Sequence, residues 1–300
     1  SAQTLEMMLV ARVIQGVGAA GPRVVAMAIV RDIYSGRAMA RIMSFVMLVF
    51  TLVPAVAPLL GTAIIAFSGW RGVFVAFVLF ALIASLWLGL RQPESLPVAS
   101  RRPLRLSLMW AAMVEMLSHP TVSLSIAVQT LCYVTLFLTI NMVQPVFDVV
   151  LHHADTFAYW FAGMAIVSAS SSLLNASLVM KLGMRKLAAM AFGTQIFLST
   201  AMAVAWYAGL SGDALLYAFV AWQTSVFFQT GMTIGNLNAI AMEPMGHIAG
   251  IAASVIGCIS TIGGAAIAVP IGLAFDGTPM PLVYGVGSAS ALAFVLMLLM

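Results

Sequence analysis

The chain has 300 residues, 63% hydrophobic and only 7% charged, with a formal net charge of +4, mean hydropathy +1.09 and a pI near 9.4. A soluble domain carries roughly 25% charged and 45–50% apolar residues, so a water-soluble enzyme or nucleic-acid binder is excluded. In a chain this apolar, excess cations mark the loops that fix topology in a bilayer rather than a polyanion ligand.

A spanning helix needs about 20 mostly apolar residues. Nine runs reach that length, at 7–30, 42–67, 72–90, 121–147, 156–180, 187–209, 214–240, 248–275 and 281–300. The expected fold class is an all-α integral membrane bundle of nine transmembrane helices. The long connection from Arg91 to Pro120 separates three runs from six. It opens on polar Arg91-Gln92-Pro93-Glu94 and closes on Leu104–Leu117, which carries Trp110 and reads as an interfacial helix. Cys132 and Cys258 lie in apolar runs with neither metal-ligand nor disulfide-framework spacing. The chain opens on Ser1 without a signal peptide and reads as a piece of a longer protein.

Charge placement orients the runs. Arg31, Arg37 and Arg41 lie in one connection, Arg91, Arg101, Arg102 and Arg105 in another, and Lys181, Arg185 and Lys186 in a third. If the runs alternate, these ten fall on one side. The other side receives Arg71 with Glu6, Asp148, Asp155, Asp213 and Asp276. The positive-inside rule then sets the first residue outside and the last in the cytoplasm, in a bacterial inner membrane.

Arg12-Val13-Ile14-Gln15-Gly16-Val17-Gly18-Ala19-Ala20, Pro54 with Pro58, and Gly69-Trp70-Arg71 together resemble segments of the major facilitator superfamily, and within it of the Bcr/CflA-type drug:proton antiporters. The first of these is similar to the superfamily's fourth-helix motif, and Ala28–Tyr34 with Ala40-Arg41 to the loop that follows. Leu52–Gly61, with Pro54 and Pro58, resembles the fifth-helix antiporter motif, although Ala57 and Thr62 stand where glycines are usual. Gly69-Trp70-Arg71 with Phe74 resembles the turn into helix six. Leu182–Lys186 resembles the second-half loop motif without its acidic residue, and Met242-Glu243-Pro244 with Ala249–Ser254 the link between helices ten and eleven. The resemblance implies two six-helix halves with helices four to twelve present. Residues 1–90 would then be three helices of the N-terminal half, 91–120 a cytoplasmic linker with its interfacial helix, and 121–300 the C-terminal half.

Site residues follow from the motifs and from spacing. Arg12 lies inside a span, where a guanidinium is costly unless it faces protein or water. Gln15 is one turn on. Arg23, 11 residues on, shares the face of Arg12 about 16.5 Å away. Two readings stand: a polar stripe with Arg12 coupled to proton movement, or a clamp between helices with Arg23 reaching the inner headgroups. Arginine does not give up its proton, so a carboxylate must carry it. Glu6, Asp32, Glu94, Glu115, Asp155, Asp213 and Asp276 read as loop residues, and Asp148 and Glu243 as helix ends. The resemblance places the carrier ahead of Ser1, with Asp148 the internal candidate.

Pro54, Pro58 and Gly61 form an i, i+4, i+7 row. The resemblance implies an export and sealing motif; the row by itself also reads as an ordinary kinked packing helix. Gln129, Tyr133, Phe137, Asn141 and Gln144 on the fourth run, and Trp222, Gln223, Phe227 and Asn238 on the seventh, mix aromatics and amides as a pocket for amphipathic ligands does. Polar residues that bond only across helices are the alternative. Ser168–Ser172 with Asn175 reads as small-residue packing. The resemblance also implies an inner gate of Lys181, Arg185 and Lys186 near Glu243, with Arg31 and Asp32 as first-half equivalents.

His119, His152, His153 and His247 sit at helix ends or in connections, and no P-loop is present. The expected function is proton-coupled export of small amphipathic compounds by alternating access. It needs no cofactor beyond the proton gradient and no metal. The partners are the bilayer, a small-molecule substrate and protons, with no nucleic acid, and the protein is monomeric. A carrier of the same fold for one metabolite, and a non-transporting scaffold or receptor, are the alternatives. Residues 1–300 alone are expected not to transport.

Overall fold

The computed structural model describes residues 4–34, 36–94 and 106–300; side chains at some helical positions, mainly between residues 20 and 55, lie outside that description. The described chain forms helices α1 (Leu5–Ile33), α2 (Gly36–Arg91), α3 (Leu106–Ser118), α4 (Pro120–Pro145), α5 (Phe157–Leu182), α6 (Met184–Tyr207), α7 (Gly212–Met242), α8 (Ala249–Leu273) and α9 (Met280–Leu299). Six stretches are long and apolar enough to cross a bilayer: Val56–Arg91, Pro120–Val150, Ala154–Leu182, Met184–Tyr207, Ile251–Leu273 and Met280–Leu299. The long helices α1 and α7 are more polar. The first carries Arg12, Gln15 and Arg23, and the second Gln223, Gln229, Asn236 and Asn238.

Local chemistry sets the boundaries. Thr4 caps α1, its hydroxyl accepting from Met7 N at 3.3 Å. The runs at 42–67 and 72–90 lie in one element, α2, broken at Gly69, whose φ of 67° and ψ of 178° suit a residue without Cβ. Pro120 starts α4 at a position where its missing N–H is not needed. Beyond Pro145 the ladder widens into a π turn, Val146–Val150, closed by Leu151 N donating to Val146 O at 3.0 Å. Only Gly183, at φ 79°, separates α5 from α6.

The polar connections are therefore shorter than expected. The segment 31–41 is helical to Ile33 and again from Gly36, and 181–186 shrinks to one residue. Glu6 and Asp213 lie in first helical turns, Asp32 within α1 and Glu115 within α3, rather than in loops. A polar residue marks where lipid-compatible sequence stops, but the helix runs on because its backbone bonds hold in water as well.

The chain divides into two compact units, Ser1–Val53 with Leu60–Leu104, and Pro54–Leu59 with Arg105–Met300. In the second unit α4 packs against α7, α8 and α9, α6 against α7 and α9, and α5 against α7. Phe147, Phe192, Phe219, Leu138 and Leu237 fill its core. A smaller cluster of Met116, Val122, Ile126, Ala252 and Ile256 ties α3 to the start of α4 and α8, with Trp110 of α3 exposed.

Small residues set the close crossings. A Cβ on Gly264 of α8 would lie 2.5 Å from Tyr133 Cβ of α4, and one on Gly285 of α9 2.7 Å from Leu138 Cδ1. One on Gly231 of α7 would collide with Ser171 of α5, so the serine run does serve small-residue packing. Outward, the unit presents Ile166, Leu173, Phe197, Val204, Leu292 and Leu298, each more than half exposed. Apolar surface on that scale suits hydrocarbon, not water.

Candidate functional site

In the first unit Arg12 is exposed, and its Nη1 donates to Gln15 Oε1 at 3.1 Å, one turn away on α1. Its guanidinium carbon lies 5.0 Å from the Phe74 ring centroid. Phe74 meets Trp70 edge to face at 5.9 Å, and Arg71 lies 4.4 Å over Trp70. The arrangement is a ladder of two guanidinium groups and two rings. A cation over a ring contributes roughly 0.5–1 kcal/mol at an exposed site. Arg12 and Gln15 come together as their spacing implied, and Phe74 is an added partner. The side chains of Arg23, Arg31, Asp32 and Pro54 lie outside the described residues. Pro58 and Gly61 are half-buried, and a Cβ added at Gly61 meets no described atom within 4 Å.

In the second unit the expected surface divides between two faces of α4. Gln129 is buried, and its Nε2 donates to Asn238 Oδ1 of α7 at 3.2 Å. Tyr133 and Phe137 are half-buried and stacked at 5.8 Å, while Asn141 and Gln144 are exposed. Each step of four residues advances 40° around a helix, so Asn141 stands 120° from Gln129. Trp222 is buried and turns to α6, its Nε1 donating to Ser199 Oγ at 3.2 Å. Gln223 is fully buried, and neither amide atom has a partner in the described structure. Phe227 meets Phe161 of α5 at 5.6 Å, edge to face.

Other polar groups join these, and sequence spacing did not single them out. Cys132 Sγ and Thr233 Oγ1 are 3.1 Å apart across the α4–α7 seam, and Gln229 Nε2 donates to Cys132 Sγ at 3.9 Å. Ser225 Oγ donates to Gln195 Oε1 at 3.1 Å, and Asn236 Nδ2 to Asn175 Oδ1 at 2.7 Å. The available signal was the amide and hydroxyl content of α7, high for a spanning helix. A groove of about 860 Å³ between α6, α8 and α9 is lined by Ser199, Pro270, Tyr284 and Ser288, and a smaller one of about 290 Å³ by Gln195, Ser225 and Gln229.

At the helix ends, Lys181, Arg185, Lys186 and Glu243 are exposed. Arg185 Nη1 donates to Met300 O at 2.7 Å. Asp148 is exposed on the π turn. In the connection before α9, the Thr278 hydroxyl and backbone N–H donate to Asp276 Oδ1 at 2.7 and 3.0 Å and hold that carboxyl below its usual range.

Long apolar helices with an apolar outer surface and, in the second unit, charge kept to the ends of the spans define a multi-pass membrane protein. The family model of the Major Facilitator Superfamily matches residues 1–268, and the chain belongs to that family. It is 27% identical over 284 residues to the bicyclomycin resistance protein homolog of Haemophilus influenzae, covering 92% of this chain and 69% of that one. It is 34% identical over 98 residues to the uncharacterized MFS-type transporter YdgK of Bacillus subtilis, covering 32% of this chain and 24% of that one. Over 105 residues it is 32% identical to the multidrug resistance protein MdtL of Escherichia coli, covering 34% of this chain and 27% of that one.

Proposed function

We propose that this protein is a secondary active transporter that exports small amphipathic compounds in exchange for protons, by alternating access. The observation that carries the reading is the match to a drug-resistance protein over 92% of the chain. The resistance name of MdtL, over a shorter stretch, points the same way.

The residues have roles in this reading. Arg12 and Gln15, with Phe74 beneath the guanidinium, hold a fixed positive charge on α1 of the first unit. Such a charge biases the protonation of any facing carboxylate without itself titrating. Pro54, Pro58 and Gly61 bend and seal α2. Gln129, Asn238, Gln223, Tyr133, Phe137 and Phe227 supply the mixed amide and aromatic lining, Asn141 and Gln144 extend it along α4, and Trp222 of α7 braces it against α6. Lys181, Arg185, Lys186, Glu243, Arg31 and Asp32 act at the cytoplasmic gate. The chain crosses the bacterial inner membrane nine times as a monomer, its first residue outside.

The test is proton-driven flux in proteoliposomes. An imposed proton gradient should accumulate a lipophilic drug, and a protonophore should abolish the accumulation. Export of a single metabolite with rejection of unrelated drugs would move the protein to the specific-carrier class. Absence of any substrate-driven proton movement in the full-length protein would remove transport altogether.

A further inference from the structure

Charge in the second unit is confined to the ends of the spans. Lys181 closes α5, Arg185 and Lys186 open α6, Asp213 opens α7, and Asp148 and Glu243 follow α4 and α7. Between those ends α4 to α9 carry neutral side chains alone. Several of these have hydrogen-bonding capacity that nothing in the described structure meets: Gln223 at both amide atoms, Thr139 at its hydroxyl, and Gln129 and Gln229 at their carbonyls. Gln223 and Thr139 have no exposed surface. Buried polar groups are nearly always partnered, so two within about one turn of each other on one seam call for a partner.

Thr139 is unusual among the threonines around it. Thr130, Thr135, Thr224, Thr230 and Thr233 each donate to a carbonyl three or four residues back. Thr139 does not, which leaves its hydroxyl to the seam. The bonds Gln129–Asn238 and Cys132–Thr233 fix the antiparallel register of α4 and α7. Two turns up α4 from Cys132 is Thr139, and the matching step back along α7 from Thr233 and Gln229 ends at the turn that holds Gln223.

We infer that Thr139 and Gln223 form a charge-free hydrogen-bonding socket on the α4–α7 seam for the uncharged, amide- or hydroxyl-bearing end of an exported compound. A primary carboxamide offers two donors and an acceptor, and a hydroxyl one donor and two acceptor sites. A neutral amide or alcohol satisfies both at once. A permanent cation would lose its water there and find no carboxylate within the spans. The socket is closed in this conformation, and opening it requires α4 and α7 to part. This inference rests on the export reading and names its substrate class.

Two probes of nearly the same shape test it: N-benzylpentanamide, which is neutral, and benzylbutyldimethylammonium, a permanent cation. Equilibrium binding to the purified protein and proton-driven flux are measured for both. The unaltered full-length protein should bind and export the amide and reject the ammonium. Gln223→Leu and Thr139→Val should each weaken amide binding about tenfold with the thermal melt showing a folded protein, and Gln223→Glu should admit the ammonium. Equal binding of both probes by the unaltered protein overturns the inference. So does unchanged amide binding in a folded Gln223→Leu or Thr139→Val, the result expected if the socket holds only a structural water. Failure of the unaltered protein to move any amphipathic compound would instead sink the export reading.

Discussion

Arg12 shows how an exposed charge within an apolar run is held in place. Its guanidinium is planar and always charged, so it takes Gln15 through one N–H and lies against the Phe74 ring with its face. Arg12→Ala should abolish substrate-driven proton movement in proteoliposomes, and Arg12→Lys should preserve only part of it, because an ammonium lacks the flat fork. Full coupling in Arg12→Ala would leave the residue a clamp. Trp222 is held differently, by one indole bond and by packing. Trp222→Phe keeps the ring and should lower stability by about 1 kcal/mol in a thermal melt, whereas Ser199→Ala leaves the indole N–H unpartnered in the core and should cost roughly 1–3 kcal/mol. Asp276 sets a local pH dependence. Its carboxyl is depressed by Thr278, so this contact stabilises the connection above the ordinary aspartate range near pH 3.9 and is lost as pH falls through the lower folded value. Thr278→Val should return the carboxyl titration, followed by NMR, towards that ordinary value.

At the scale of elements, α2 depends on one glycine and α8 on another. Gly69 holds a backbone conformation that side chains rarely adopt, so Gly69→Ala should cost about 1–3 kcal/mol. Gly264→Leu would drive α8 away from Tyr133 and should cost roughly 1–3 kcal/mol in a melt, more than the same change at the open Gly163. Where the helices lie was legible from the apolar runs, since a 20-residue window of Leu, Val, Ala and Met leaves little choice in lipid. Where they end was less so: hydropathy falls at Arg31 and Lys181, but backbone bonding continues to Ile33 and Leu182. The amides of α4 were found by spacing. Spacing did not reveal that Gln129 turns into the α7 seam while Asn141 stays exposed, because a row of fours drifts around the helix. The partners of Arg12 and Trp222 come from residues distant in sequence, Phe74 and Ser199, and no local pattern names them.

For the molecule as a whole, the ten-to-one split of cations between connections predicts an orientation in the membrane. In a Cys258→Ser background, a cysteine placed at Asp155 or Asp213 should react with an impermeant thiol reagent from outside, and one at Lys186 only from inside. The reverse pattern would invert the topology.

The two natural cysteines differ in a useful way. Cys132 is sealed within the seam beside Thr233, and Cys258 stands exposed on α8. Among native thiols only the second is open to a reagent, which makes the unmodified protein its own solvent gauge. A small neutral maleimide reports any wetting of the thiol, since hydrocarbon keeps it protonated and inert, and a charged thiosulfonate reports a passage open to bulk water. If α8 swings between those surroundings during turnover, the ratio of the two labelling rates will change when substrate is added, so a motion of the bundle can be timed without introducing a single mutation.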